Sequence, residues 1–299
     1  MPVVNKVTKI RVKPFFMDTH SKFYHTKLIY VLTYENRGGS FLNSKLEILS
    51  RCLALFLIAV LLWHTYRFVV GVHPFFPYLE WGKPLGYFFY LGVYVLIFVV
   101  LILFVKVIDR SSLSEIGLLK AKRWRTYVMF GVLFAFIARF SEIFMYLIFG
   151  GTLRLGEYPS SFIILFFILD TLIVGLAEEG VFRGYIQKHL THNYRFVPAL
   201  LVSSYLFHIY HVNFFSANLY DINLIVSGIV PSFGMFAGYL YYRTGENLLG
   251  PIMLHMFYDL FGTIVPLEVG MGNLPTGARI IQWTLFMIAL KILADRKIL

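Results

Sequence analysis

The run Gly175-Leu-Ala-Glu-Glu-Gly-Val-Phe-Arg-Gly184 ends an apolar block that begins near residue 160. Its neighbouring carboxylates, Glu178 and Glu179, are costly near lipid, and such groups usually persist there because the protein uses them. Two later apolar segments carry histidines, His211 and His255, with polar or aromatic companions at helical spacing. The run therefore belongs to a set of three apolar segments that carry titratable groups into a membrane.

The composition is that of a membrane protein. Hydrophobic residues make up 58% of the 299 residues and charged residues 14%, and the mean hydropathy is +0.71. An ordinary soluble domain of this length does not show these values. In hydrocarbon each backbone amide must be satisfied internally, so the sequence predicts an all-α polytopic membrane protein with about eight transmembrane helices. The apolar blocks are 52–72, 85–108, 127–150, 160–182, 197–217, 222–242, 248–268 and 277–294.

The basic residues predict the orientation of the chain. Most of the 27 Lys and Arg residues precede the first block or fall in the loops that follow blocks two, four, six and eight. By the positive-inside rule, both termini lie in the cytoplasm. The net charge of +11 is then mainly an orientation signal with some attraction to anionic lipid, and nucleic-acid binding is disfavoured.

The chain is predicted to contain a basic cytoplasmic segment, residues 1–44, and one membrane-embedded domain, residues 45–299. The first segment is too polar to hold a cleavable signal peptide, and we assign no chemistry to it. The single cysteine, Cys52, excludes an intrachain disulfide and is expected to be a packing residue. No internal repeat is visible in the sequence.

The carboxylate pair in the opening run has two interpretations. Glu179 and Arg183 are four residues apart, so on a helix they share a face and can form an ion pair. Glu178 is rotated by about 100° from Glu179 and is free to face a different neighbour. A carboxylate inside a low-dielectric cavity suits a general base, whereas an ion pair at a helix end would be structural. This motif alone leaves both interpretations open.

Two later segments supply histidines. His208 and His211 lie three residues apart in the fifth block, with Tyr210 beside them, and Asp259 follows His255 by four residues in the seventh. A single histidine in an apolar helix is more often a hydrogen-bonded packing residue, and an Asp at this spacing can simply orient a buried His. Titratable groups on three segments together favour a shared polar cavity.

Three further polar residues fall inside the predicted helices. Arg139 and Glu142, three apart in the third block, are expected to compensate each other's charge. Asp170, midway along the fourth block, lies eight residues before Glu178. It either lines the same cavity or pairs with Arg139.

The candidate groups suit peptide hydrolysis. That reaction needs an activated water, a proton shuttle for the leaving amine and donors for the developing oxyanion, and Glu178, His211 and His255 supply one of each. The same three residues are an acceptable zinc set, so a zinc peptidase is an alternative, although no His-Glu-x-x-His run occurs. A non-catalytic scaffold or immunity protein and a carrier are alternatives from other classes. Retention of every chemical group favours catalysis.

Three ordered motifs resemble those of a known family. They are Glu178-Glu179-x-x-x-Arg183, Phe207-x-x-x-His211 and His255-x-x-x-Asp259. Over about residues 160–265 the chain is similar to the CPBP family, the CAAX-protease and bacteriocin-processing (Abi) group of intramembrane glutamate endopeptidases. The Ras-converting CAAX endopeptidases of eukaryotes are related to this group. The first 150 residues match it only in general hydrophobic character.

The resemblance implies an eight-helix membrane endopeptidase with a polar cavity open to the cytosol. The implied roles are water activation by Glu178 with His211, oxyanion stabilisation by His255 with Asp259, and support by Glu179 and Arg183. Eukaryotic CAAX enzymes typically carry Asn where this chain has Asp259. An ionised Asp cannot donate a hydrogen bond, so Asp259 would either be protonated or orient His255 instead, and we expect the orienting role.

The implied site carries a geometric requirement. His211 lies deep in the fifth block, whereas Glu178 is near the end of the fourth. The two can meet if the fourth helix continues through Arg183 to about Leu190, and we expect that continuation because the intervening residues can be helical.

The expected partners are membrane lipid and a peptide or lipidated protein substrate. The substrate would be a CAAX-like tail, a leader peptide or a sorting signal. No cofactor and no nucleic acid are expected, with zinc at Glu178, His211 and His255 as the alternative. The expected location is a membrane, which in a prokaryote would be the cell membrane.

Overall fold

The structure is a computed structural model. It describes residues 41–72, 84–119, 123–149, 154–155, 161–212, 229–264, 267–268 and 276–296. The chain divides into two units, Met1–Glu47 and Ile48–Leu299, and of the first unit only residues 41–47 are described, as the start of a helix. The predicted segment 1–44 thus lies almost wholly outside the described residues, and its boundary stays a prediction.

The first three predicted blocks form long helices. The second helix, α2 (Pro84–Leu103), continues into a π-helical turn, Phe104–Ile108, so its helical length agrees with the predicted block 85–108. Cys52 is buried with a free thiol, as expected of a packing residue. The three helices are α1 (Phe41–Val72), α2 (Pro84–Leu103) and α3 (Trp124–Ile148).

The fourth predicted block forms one continuous run of helical residues. It consists of α4 (Ser161–Glu179), a π-helical segment (Gly180–Gln187) and α5 (Lys188–Tyr194). The expected continuation through Arg183 to about Leu190 is confirmed. π-Helical segments are rare and often occur at functional sites, and this one begins directly after the carboxylate pair.

The remaining blocks form α6 (Phe196–His211), α7 (Ile229–Arg243), α8 (Leu249–Ile264) and α9 (Thr276–Asp295). The prediction that the fifth block runs to residue 217 is wrong at its end. Val212 adopts an extended conformation, which suits a β-branched residue, and α6 therefore stops at His211. The predicted start of the sixth block at residue 222 falls outside the described residues.

Among the described residues, four helices have the length and hydropathy of membrane spans: Lys45–Val69, Gly86–Ile108, Trp124–Met145 and Gly277–Asp295. Large apolar side chains point outward from the helices, such as Leu61 at 66% exposure and Leu165 at 68%. An apolar exterior of this kind suits lipid rather than water. The helical, membrane-protein part of the fold prediction is confirmed, and the total of about eight spans stays a prediction.

One strand pair accompanies the helices within the described ranges. β1 (Arg154–Leu155) and β2 (Leu267–Glu268) pair antiparallel, with Arg154 opposite Glu268. β1 precedes α4 and β2 follows α8. The strand pair therefore connects the segment before α4 with the segment after α8, the two helices that carry Glu178 and His255. The all-α prediction missed it because a two-residue strand is too short to show a hydrophobic period.

α8 packs against both α3 and α4 through small residues. A Cβ on Gly131 in α3 would lie 2.5 Å from the carbonyl oxygen of Gly250 in α8. A Cβ on Gly175 in α4 would lie 3.2 Å from the carbonyl oxygen of Ile252. Small residues at helix interfaces let backbones approach closely in membranes. This packing sets His255 of α8 beside the end of α4.

Candidate active site

Glu178 lies at the centre of the site, buried at the end of α4. Its Oε1 accepts a hydrogen bond of 2.9 Å from the hydroxyl of Tyr94 in α2. Its Oε2 lies 3.6 Å from Nε2 of His211 and 3.6 Å from Nε2 of His255. The structure thus brings together the carboxylate and the two histidines that were predicted from three separate segments.

His211 is the last residue of α6, and its side chain is 32% exposed. Its Nδ1 lies 2.8 Å from the carbonyl oxygen of Phe207. A carbonyl can only accept a hydrogen bond, so Nδ1 carries the proton. In the neutral ring the lone pair is therefore on Nε2, the atom that faces Glu178. This tautomer can accept a proton from a group held beside Glu178.

His255 is surrounded by carboxylates. Its Nδ1 lies 2.8 Å from Oε1 of Glu179, and its Nε2 lies 3.3 Å from Oδ2 of Asp259 and 3.6 Å from Oε2 of Glu178. Three carboxylates around one ring favour the imidazolium, in which both nitrogens are donors. Because Glu179 holds Nδ1, the orienting role expected of Asp259 falls at least equally to Glu179. Asp259 lies on the Nε2 side, where its side chain is 39% exposed.

Arg183 neutralises Glu179, as their spacing predicted. Nη1 of Arg183 donates to Oε1 of Glu179 at 3.0 Å, and both side chains are fully buried. The guanidinium carbon also lies 4.2 Å from the centre of the Phe207 ring. Glu178 faces other partners, which agrees with the rotation expected between adjacent helical residues. Glu179 is therefore used in an internal ion pair, whereas Glu178 faces the two histidines.

The π-helical segment is fixed against α6 and α7 by polar contacts. Ser203 donates to the carbonyl oxygen of Phe182 at 2.7 Å. Nη2 of Arg183 donates to the Gly234 carbonyl at 3.3 Å, and Nε2 of Gln187 donates to the Gly238 carbonyl at 2.9 Å. A Cβ on Gly238 would collide with Oε1 of Gln187. Gly234 and Gly238, four residues apart on α7, thus leave room for the side chains of Arg183 and Gln187, which are also four residues apart.

Sequence reasoning missed these contacts for different reasons. Gly234 and Gly238 have the small-x-x-x-small spacing of membrane helix interfaces, so that signal was available. Tyr94 is one aromatic residue among many in α2, and no pattern distinguishes it. Only the packing of α2 against α4 reveals its contact with Glu178.

Four other polar residues predicted inside the helices have no described contact with Glu178. Arg139 and Glu142 form the expected ion pair, with Nη1 donating to Oε2 at 3.0 Å, so Arg139 is occupied by Glu142. Asp170 is buried in α4, and its Oδ1 has no hydrogen-bond partner among the described residues. His208 is buried on α6, and its described ring contact is with Tyr205, 6.1 Å between centroids, rather than with Glu178.

The zinc alternative can be compared with this geometry. Glu178, His211 and His255 have the chemistry of a His₂Glu set, whose donor atoms would lie about 2.0–2.2 Å from the ion. In the part of the chain that the structure describes, no group of three His, Cys, Asp or Glu side chains is arranged to hold an ion. The expectation of no cofactor stays a prediction, which chelation can test.

Comparison with known proteins identifies the segment that carries the site. Residues 160–261 match the model of the family described as type II CAAX prenyl endopeptidase Rce1-like. No curated protein matches the chain. The matched segment runs from the start of α4 almost to the end of α8 and contains all six predicted site residues. Residues 160–261 are therefore similar to a family of CAAX-type membrane endopeptidases, which confirms the resemblance that the three motifs predicted.

Proposed function

We propose that this protein is an intramembrane endopeptidase that hydrolyses peptide bonds with a water activated by Glu178 and His211. One observation carries the proposal: a buried carboxylate oxygen lies 3.6 Å from Nε2 of each of two histidines on different helices. That separation is too long for a direct hydrogen bond. It suits groups that act together on a small molecule bound between them.

The attack step follows from the tautomer of His211. A water held between Oε2 of Glu178 and Nε2 of His211 finds an acceptor at each hydrogen, because both atoms carry lone pairs. One proton passes to this pair while the water oxygen bonds to the carbonyl carbon of the substrate. General base catalysis of this kind contributes about 10²–10⁴-fold to a rate.

His255 is proposed to stabilise the tetrahedral intermediate. Its Nε2 lies 3.3 Å from Oδ2 of Asp259 and 3.6 Å from Oε2 of Glu178, so an oxyanion formed beside Glu178 would accept a hydrogen bond from the imidazolium. Glu179 fixes the opposite nitrogen, and Asp259 adds negative charge that keeps the ring protonated. The carbon–nitrogen bond then breaks as the proton held by Glu178 and His211 moves to the leaving nitrogen. The products are a carboxylic acid and an amine.

The substrate is proposed to be a CAAX-like tail, and the name of the matched family favours a prenylated one. A leader peptide and a sorting signal are the other substrates considered. His211 and Asp259 are the most exposed members of the site, so a peptide would enter on their side. In this proposal about eight helices surround a cavity that opens to the cytosol, with both termini cytoplasmic, as the distribution of basic residues indicates.

The test is peptide cleavage by purified protein in detergent. Wild type, Glu178→Gln and His211→Ala are compared on a mixed library of prenylated and unprenylated peptides, each with and without a zinc chelator. We expect wild type to cleave a subset of peptides regardless of chelator, and both variants to lose about 10²–10⁴-fold in rate. Thermal unfolding in the same detergent shows whether each variant remains folded.

Other outcomes would change the assignment. Activity that chelator abolishes and added zinc restores would move the same three residues into a zinc site. A folded Glu178→Ala protein with full proteolysis would refute Glu178 as the base. Wild type that cleaves no member of the library would favour the scaffold, immunity or carrier alternatives.

A further inference from the structure

Glu178 receives a hydrogen bond from outside the segment that matches the family model. The donor is the hydroxyl of Tyr94 in α2, 2.9 Å from Oε1. The direction of this bond is unambiguous, because an ionised carboxylate has no hydrogen to give. Both side chains are buried, so the bond lies in a low-dielectric setting where it is stronger than in water.

The ring of Tyr94 is held by other aromatic rings. Trp63 in α1 lies 5.3 Å from it between ring centroids, and Tyr90 lies 4.9 Å away. Trp63 also stacks on Tyr210, the neighbour of His211 in α6, at 6.0 Å. Contacts of this kind stabilise the rings beyond what their burial alone contributes. One aromatic cluster therefore connects α1, α2 and α6 around the carboxylate and fixes the direction of the Tyr94 hydroxyl.

The bond has two consequences for the carboxylate. It occupies Oε1, which leaves Oε2 as the oxygen that faces His211 and His255. It also fixes the orientation of the carboxylate, because both side chains are buried. A base needs both properties: a free oxygen and a fixed place for it.

We propose that Tyr94 is a positioning residue that holds Oε1 of Glu178 and so directs Oε2 toward the two histidines. The inference rests on the proposed function, since it concerns the same base. It means that part of the base's environment comes from α2, which lies before the segment shared with the family.

The first test is Tyr94→Phe, which keeps the ring and removes only the hydroxyl. Loss of a hydrogen bond to a charged group predicts that kcat falls about 10- to 100-fold, while KM changes less than about twofold because the variant alters no peptide contact. Tyr241→Phe is the matched control. Its buried hydroxyl donates to the Ile116 carbonyl at 3.1 Å and to no site residue, so its kcat should equal that of wild type. Equal kcat values for the two variants would overturn the proposal.

The second test does not depend on proteolysis. A hydrophobic carbodiimide reacts with a protonated carboxyl group, which adds across a C=N bond to give an O-acylisourea that rearranges to a stable N-acylurea. Mass spectrometry measures the rate of this labelling at Glu178. We expect faster labelling in Tyr94→Phe than in wild type and Tyr241→Phe, because Oε1 of Glu178 is then no longer covered by the Tyr94 hydroxyl. Equal rates in all three proteins would overturn the proposal even if no peptide substrate were found, so its failure is distinct from that of the peptidase assignment.

Discussion

Two clusters of charged side chains within the described helices differ in whether each carboxylate oxygen has a hydrogen-bond partner. The first surrounds Glu142 in α3. Its Oε2 accepts from Arg139 at 3.0 Å and its Oε1 accepts from the Tyr258 hydroxyl at 2.5 Å. Arg139 also donates to the Tyr258 carbonyl at 2.6 Å and lies 3.7 Å over its ring. Every oxygen of this carboxylate has a partner, so we call this the closed cluster.

The second cluster surrounds Glu178. Only Oε1 of Glu178 has a hydrogen bond, and Oε2 of both Glu178 and Glu179 has none within the described structure. Three carboxylates converge on His255, with Arg183 as the guanidinium partner of Glu179. Charge buried in an apolar helix therefore does not by itself indicate a site. The informative feature is that more carboxylate oxygens than hydrogen-bond donors face His255. Such an excess of buried negative charge costs stability, and it is the kind of feature that proteins keep where they use it.

The largest effect should come from making the same Glu→Gln substitution in each cluster. Glu178→Gln should reduce cleavage about 10²–10⁴-fold without loss of stability, because the amide cannot take a proton. Glu142→Gln should keep cleavage within a few-fold but reduce the free energy of unfolding by about 1–3 kcal/mol, because Arg139 loses its counter-charge. Cleavage assays and thermal unfolding in one detergent measure both. Equal effects of the two variants on cleavage would remove the distinction between the clusters.

The next effect concerns the ion pair inside the site. Arg183→Met should reduce the free energy of unfolding by about 3–5 kcal/mol, because it leaves Glu179 charged and buried without its guanidinium partner. The double variant Glu179→Gln/Arg183→Met is the control, since it removes both charges together. We expect it to recover part of the stability and none of the activity, because Gln cannot hold His255 as an ionised Glu179 does. A single variant as stable as wild type would contradict this role.

The smallest effect is expected at the exposed edge of the site. Asp259→Asn should reduce kcat less than about tenfold, because Glu178 and Glu179 would still face His255 from two sides. The measurement is kcat and KM on the substrate that wild type cleaves. A loss as large as that of Glu178→Gln would mean that Asp259 acts directly on the substrate.

Much of the site could be predicted because helical spacing carries local geometry. The four-residue intervals between Glu179 and Arg183 and between His255 and Asp259 predicted contacts that the structure contains. The expected extension of the fourth helix was a necessary condition for Glu178 to reach His211, and it is present. The expected pairing of Arg139 with Glu142 is also present.

Other features could not be predicted because they depend on which helices are neighbours. Glu179, grouped with Arg183 as a support, also holds His255, 76 residues later in the chain. The π-helical form of Gly180–Gln187 is stabilised by contacts with α6 and α7 rather than by its own residues alone. The strand pair β1–β2 joins two short segments with no periodic signal.

The sequence by itself determined the class of the protein, the order of its helices and the identity of the groups that titrate. Hydrophobic length and helical period are local properties, so they can be read without knowing any partner. Only the tertiary structure decided which oxygen of Glu178 is free, which nitrogen of His211 carries the proton, and that Tyr94 contacts Glu178. These depend on distances between helices far apart in the chain, and close packing of side chains fixes them only when all the helices are assembled.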